Sequence, residues 1–185
     1  NLILLFITGL IGMVALQLIQ PLFPVFLQSL NASEIEISLV ISLSSIAGMV
    51  LVLPAGYIMD RVGEKKMLLI GLILWFMSTF LIALAKNWRT VAVLYSFHGI
   101  ADAFVGPARM TIISSSSTQA TEATVFGLMS LDWLIGGTMA PPVSGFLAEN
   151  IGWQAPLLAA STAFFLSIIP ALKLEEKAST QAQKK

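Results

Sequence analysis

Runs of about 20 apolar residues, separated by short polar or charged stretches, recur along this chain; each is long enough to cross roughly 30 Å of hydrocarbon as a helix. The pattern predicts helices at about 4–27, 37–59, 67–85, 90–112, 124–148 and 155–172, followed by a polar linker tail over 173–185. Pro21 and Pro24 predict a bend near the end of the first helix. Gln17 and Gln20, three residues apart, share a face that must meet protein, water or substrate, because amides in hydrocarbon need partners. In the second helix Ser38, Ser42, Ser45 and Met49 form one stripe, and Pro54 and Gly56 loosen its inner end. The third is apolar nearly all round and is expected to face lipid.

The fourth and fifth helices carry the polar signal. Tyr95, His98, Asp102 and Arg109 fall at relative positions 0, 3, 7 and 14, a single helix face. An aspartate near the bilayer centre costs about 2.5–3.5 kcal/mol on insertion scales, so its default reading is function. The alternative is a protonated Asp102 hydrogen-bonded to His98 one turn away, with a purely structural role. Ser114 to Gln119 reads as a polar inner loop. In the fifth helix Gly136, Ala140 and Ser144 recur every four residues, a small-residue face for close packing that Asp132 extends by one turn. Pro141-Pro142 is expected to break the backbone hydrogen bonding in mid-membrane.

Composition agrees: 57% of residues are hydrophobic and 11% charged, and the mean hydropathy is +0.88, far from the norm of soluble domains. There are no cysteines and only one histidine, which excludes disulfides and thiolate metal sites and leaves no metal-enzyme spacing. No cofactor and no nucleic-acid partner is implied. The N-terminus lacks a basic region and a cleavage site and reads as a retained first helix. Of the 10 basic residues, only Lys86 and Arg89 fall on one side of the predicted spans. The rest (Arg61, Lys65, Lys66, Arg109, Lys173, Lys177, Lys184 and Lys185) fall on the other, which places both termini in the cytoplasm of a multi-pass protein of the cell (inner) membrane.

In the first half of the chain, charge is densest between the second and third helices, where a short turn is expected to fold them into an antiparallel hairpin. Gly56 would admit a neighbouring helix and Gly63 supply backbone freedom. The spacing Gly56-x-x-x-Asp60-Arg61-x-Gly63-x-Lys65-Lys66 resembles the loop signature of the major facilitator superfamily of transporters, with Glu64 where that family usually has Arg. Gly127, Gly136, Ala140-Pro141 and Ser144-Gly145 resemble the helix 5 motif of its drug–proton antiporter branch, with Ala140 and Ser144 as small-for-small departures from glycine. The helix 4 motif is altered: Tyr95 stands four residues before Gly99 where the family has Arg, and His98 where it has Gln.

The resemblance implies an all-α fold of six transmembrane helices arranged as a 3+3 inverted repeat. Helices 1 and 4 would line a cavity and helices 3 and 6 would face lipid. It implies alternating-access efflux of a small amphipathic organic molecule, probed at Gln17, Gln20, Tyr95, His98 and Asp102, with Asp102, His98 and Asp132 as proton-coupling candidates. Gly56, Asp60, Arg61, Gly63, Lys65 and Lys66, together with Arg109, would form a gating loop. Twelve helices enclose a pathway in this family, so the chain is expected to be half a transporter: a fragment, a split subunit or a homodimerising half. Its partners would be the bilayer, the substrate, protons, and a C-terminal half or second copy, against which the Gly136 face is expected to pack. The rival readings are an uptake carrier for a small metabolite and a non-transporting scaffold. An intramembrane aspartyl protease built on Asp102 and Asp132 lacks the Tyr-Asp and Gly-x-Gly-Asp signatures, and a rhomboid-like protease lacks the first glycine before Val143-Ser144-Gly145.

Overall fold

A computed structural model describes residues 1–175. It contains helices α1 (Leu2–Ile19), α2 (Phe23–Ser29), α3 (Glu34–Val62), α4 (Glu64–Ala83), α5 (Trp88–Ser116), α6 (Glu122–Met129), α7 (Leu131–Asn150) and α8 (Gln154–Leu172), with no strand among the described residues. Taking α6 and α7 together, six spans are long and apolar enough to cross a membrane. The expected linker tail lies, from residue 176 onward, outside the described residues.

The packing carries an internal symmetry. The principal helix contacts are α1 with α7 and α8, α5 with α3 and α4, and α4 with α8. Exchanging the first three spans (α1, α3, α4) for the second three (α5, α6–α7, α8) maps this set of pairs onto itself, as a 3+3 repeat requires. The tightest crossings correspond as well. Between α3 and α5, a Cβ on Gly48 would lie 2.7 Å from the Gly99 carbonyl oxygen. Between α7 and α1, a Cβ on Gly136 would lie 3.0 Å from the Met13 carbonyl carbon. Without a hydrophobic force between helices in lipid, such backbone approach is what dispersion packing requires. The Gly136–Ala140–Ser144 face therefore packs on α1 of the same half, and not on a missing half as expected from the sequence.

The first span breaks over residues 20–22 because Pro21 has no N–H to offer the carbonyl of Gln17. The Leu22 N–H turns back to Ile19 O at 3.2 Å, and α2 restarts with Pro24 in its first turn. That leaves the Leu18 carbonyl without its helical donor, and the Ser144 hydroxyl of α7 fills the vacancy. The serine that departs from the family's glycine thus satisfies a backbone group that hydrocarbon cannot.

Several boundaries differ from the sequence expectation. α3 starts three residues early, because Ser33 and Glu36 form a reciprocal cap, with Ser33 N–H donating to Glu36 Oε2 at 2.8 Å. Asn87 caps α5 through Thr90 N–H at 2.8 Å. The expected charged loop shrinks to Gly63 alone, with φ of 92°: Asp60 and Arg61 end α3, while Lys65 and Lys66 begin α4. The hairpin is not observed as a packed pair, since α3 lies mainly on α5 and α4 on α5 and α8. Nor does a helix approach Gly56, where an added Cβ would meet no atom within 4 Å. Ser114 to Ser116 belong to α5 rather than to a loop. The fifth span is interrupted at Ser130, while Pro141 and Pro142 sit inside a continuous α7 held against α1.

α4 overturns the lipid-facing expectation for one of its faces. Leu68, Leu72, Trp75, Thr79 and Ile82 form a buried stripe against α5 and α8, and Ile70, Ile73, Met77 and Phe80 remain on the exterior. Uniform apolarity conceals direction here, because protein and lipid are equally apolar neighbours.

Candidate functional site

The polar face of α5 does not form one hydrogen-bonded network; its groups turn to partners on several other helices. Tyr95 stacks on Phe23 of α2, with ring centroids 4.1 Å apart. His98 is buried among Trp75, Tyr95 and Phe164, and its Nε2 has no hydrogen-bond partner among the described residues. Asp102 Oδ1 accepts from the indole Nε1 of Trp75 on α4 at 2.9 Å. The expected Asp102–His98 bond is therefore not formed. One turn of helix brings the two residues to the same face, but the imidazole is drawn into the aromatic cluster and a donor from another helix takes the carboxylate.

Arg109, assigned to the gating loop by the family resemblance, is engaged with α7 and the end of α6. Its guanidinium forms an ion pair with Asp132 of α7 and donates to Met129 O at 2.8 Å. Asp132 is completely buried, and Gly9 of α1 lies against the pair, so that a Cβ there would stand 3.2 Å from an Arg109 nitrogen. Asp132 Oδ1 and Arg109 Nε have no further partners among the described residues. A pair so enclosed offsets a desolvation cost of several kcal/mol per ion, which makes it a poor source of net stability and a strong constraint on which helices meet. It pins α1, α5 and α7 together at one level of the bundle.

Asp102 opens onto three adjacent hollows. One, of about 320 Å³, is lined by Met13, Trp75, Met110, Phe126 and Met129 along with Arg109. The second, of about 500 Å³, is more polar and includes Gln20, Ser44, Ser45 and Tyr95. A narrow third of about 100 Å³ connects Gln20, Tyr95 and His98. Unlike Asp132, Asp102 is solvent-accessible, so among the two intramembrane carboxylates it alone faces open space. Of the two candidate amides, Gln20 faces these hollows. Gln17 lies instead against α7, where a Cβ on Gly137 would be 2.8 Å from its Nε2.

Of the remaining motif residues, Asp60, Arg61 and Lys66 are exposed, and Arg61 lies over the Tyr57 ring at 4.4 Å from its centroid. In α6 and α7, Gly127 and Gly145 have open space around them, whereas Gly136, Ala140 and Ser144 are buried. Sequence reasoning missed Trp75, Gly9, Gly48 and Ser44. A small-residue spacing search on α1 and α3 could have found the glycines; nothing in the periodicity marks Trp75 as a donor.

Residues 5–185 match the sequence profile of the Major Facilitator Superfamily. The chain is 28% identical over 166 residues to Multidrug resistance protein 1 of Bacillus subtilis (strain 168), covering 90% of this chain and 43% of that protein. It is also 28% identical over 156 residues to Quinolone resistance protein NorA of Staphylococcus aureus (strain Mu50 / ATCC 700699), covering 82% of this chain and 40% of that protein. The chain thus spans less than half the length of these curated relatives. Six apolar spans packed as two exchangeable triplets, and a family profile matched over nearly every residue, place the chain in the Major Facilitator Superfamily, as a multi-pass membrane protein.

Proposed function

We propose that this chain forms the N-terminal six-helix half of a secondary active exporter that moves small amphipathic organic molecules out of the cell in exchange for protons. The observation that carries the reading is Asp102: an accessible carboxylate at mid-span, between a methionine- and aromatic-lined hollow and a more polar one. A carboxylate in that position can hold a proton or the positive end of a substrate but not both, which couples the two by differential binding. The printed names of the relatives, multidrug and quinolone resistance, support export over uptake. Tyr95, His98 and Gln20 border the substrate space in this reading, Gly56 to Lys66 gate its inner side, and the Arg109–Asp132 pair holds α1, α5 and α7 in register. The protein resides in the cell (inner) membrane with both termini cytoplasmic, is a carrier rather than an enzyme, and completes its pathway with a C-terminal half or a second copy.

Reconstitution tests this. In proteoliposomes holding a transport-competent assembly, an imposed proton gradient should drive uphill movement of a lipophilic fluorescent drug, and a protonophore should stop it. Uphill movement that persists without a proton gradient would exclude proton exchange, and accumulation on the proton-rich side's opposite face would favour uptake.

A further inference from the structure

Trp75 is almost fully buried at the meeting point of four helices. A Cβ added at Gly12 of α1 would lie 4.0 Å from its ring, which stacks obliquely on Phe164 of α8 at 5.2 Å and on His98 of α5 at 5.9 Å, and its one polar atom donates to Asp102. Indole is a donor only and cannot rotate to another partner while its ring is wedged on three sides. It is also the sole hydrogen-bond partner of Asp102 among the described residues. The bond joins the third span to the fourth, across the two repeats.

We propose that Trp75 is the positioning residue for Asp102. Its N–H holds the ionised carboxylate toward α4, and protonation of Asp102 weakens this tie and frees the side chain toward the adjoining hollows. The inference rests on the proton-exchange reading above and adds to it an internal sensor of the carboxylate's charge. A donor bound to an anion is about twice as strong as one bound to a neutral oxygen, so gain and loss of the proton change the strength of the α4–α5 link itself. The other titratable or charged groups near Asp102 are Tyr95, His98 and Arg109, all on its own helix; Arg109 is engaged by Asp132. Among the described residues that line these hollows, α1, α3 and α6 contribute none.

Trp75→Phe keeps an aromatic side chain, smaller than the indole, and removes the donor. In a transport-competent assembly it should move the pH midpoint of proton-driven transport upward by about one unit, the worth of one charge-assisted hydrogen bond. In an Asp102→Asn background, where proton-driven transport is lost, the same change should leave the pH profile of counterflow unshifted. A midpoint unaltered by Trp75→Phe, where Asp102→Asn does abolish the pH dependence, overturns the positioning role and leaves the transport reading standing. A pH dependence that survives Asp102→Asn takes down both. An optical readout is independent of transport: with Trp88, Trp133 and Trp153 replaced by Phe, Trp75 emission should titrate with pH and lose that transition on Asp102→Asn. Emission that is flat with pH, or that titrates equally without the carboxylate, contradicts the proposal.

Discussion

Replacing Gly99 with alanine isolates the steric basis of the fold. The new methyl carbon would fall 2.7 Å from the Ser44 carbonyl carbon and 2.8 Å from Ser44 Oγ, and closer still to the carbonyl oxygen. Carbon atoms pack best at about 3.5–4.0 Å, so α3 and α5 must part by about 1 Å at their tightest crossing. The obstacle is helix backbone and cannot swing aside. Overpacking of this kind costs typically about 1–3 kcal/mol, and a backbone collision belongs at the upper end. Helix propensity works against that loss by about 1 kcal/mol, the usual advantage of alanine over glycine. A net loss of about 2 kcal/mol corresponds to a fall of roughly 4–8 °C in apparent melting temperature for a chain of this size. Gly136→Ala meets its nearest backbone atom at 3.0 Å and should fall less. Gly56→Ala meets nothing and should hold or rise. The assay is thermal unfolding of the purified protein in one detergent, followed by loss of the monodisperse chromatographic peak. Gly99→Ala melting within about 1 °C of the parent, or below it by less than Gly56→Ala, would refute the packing argument.

Ser144→Ala should cost about 1–3 kcal/mol, the penalty for leaving the Leu18 carbonyl without a donor, and the same melting assay reads it; an unchanged melting temperature would mean that the hydroxyl does not hold the break in the first span. Neutralising either partner of the Arg109–Asp132 pair should cost about 3–5 kcal/mol by stranding the other charge, while Arg109→Met combined with Asp132→Leu should recover much of the monodisperse yield. If the double variant is as poor as the sum of the singles, the pair is not coupled. With no cysteines in the sequence, single-cysteine labelling is direct: an impermeant maleimide should reach Asn31→Cys from outside intact cells and Ser117→Cys only after permeabilisation. The reverse pattern would invert the topology.

The spans were legible because hydrocarbon demands length and apolarity, and both are written locally in the sequence. The Asp132–Gly136–Ala140–Ser144 stripe was legible for the same reason, since a four-residue repeat fixes a helix face whatever that face meets. What it meets was not. Nothing in the spacing distinguishes α1 of the same half from a helix of another, and the symmetry that decides the matter appears only in the packing. Asp102 was recognisable from its cost in a membrane, yet its partner was sought on its own helix at His98. The donor lies 27 residues earlier, on a span whose uniform apolarity made Trp75 look like lipid-facing bulk. Arg109 and Asp132 were each assigned to other tasks, because a pair 23 residues apart on different helices leaves no periodic trace. Prolines misled in one case and not the other. Pro21 breaks a helix, whereas Pro141 and Pro142 stay within α7.

On the proposed reading, proton exchange turns on Asp102, where a proton and the substrate exclude one another. The direct test is to reconstitute Asp102→Asn in a transport-competent assembly and to measure substrate counterflow and proton-driven uphill transport in the same vesicles. Asparagine preserves shape and accepts the Trp75 hydrogen bond but cannot titrate. Counterflow should persist, with weaker apparent affinity for a cationic substrate, while uphill transport and its accompanying proton flux vanish. Uphill transport at the parent's rate on a proton gradient would contradict this reading and assign the proton to another group.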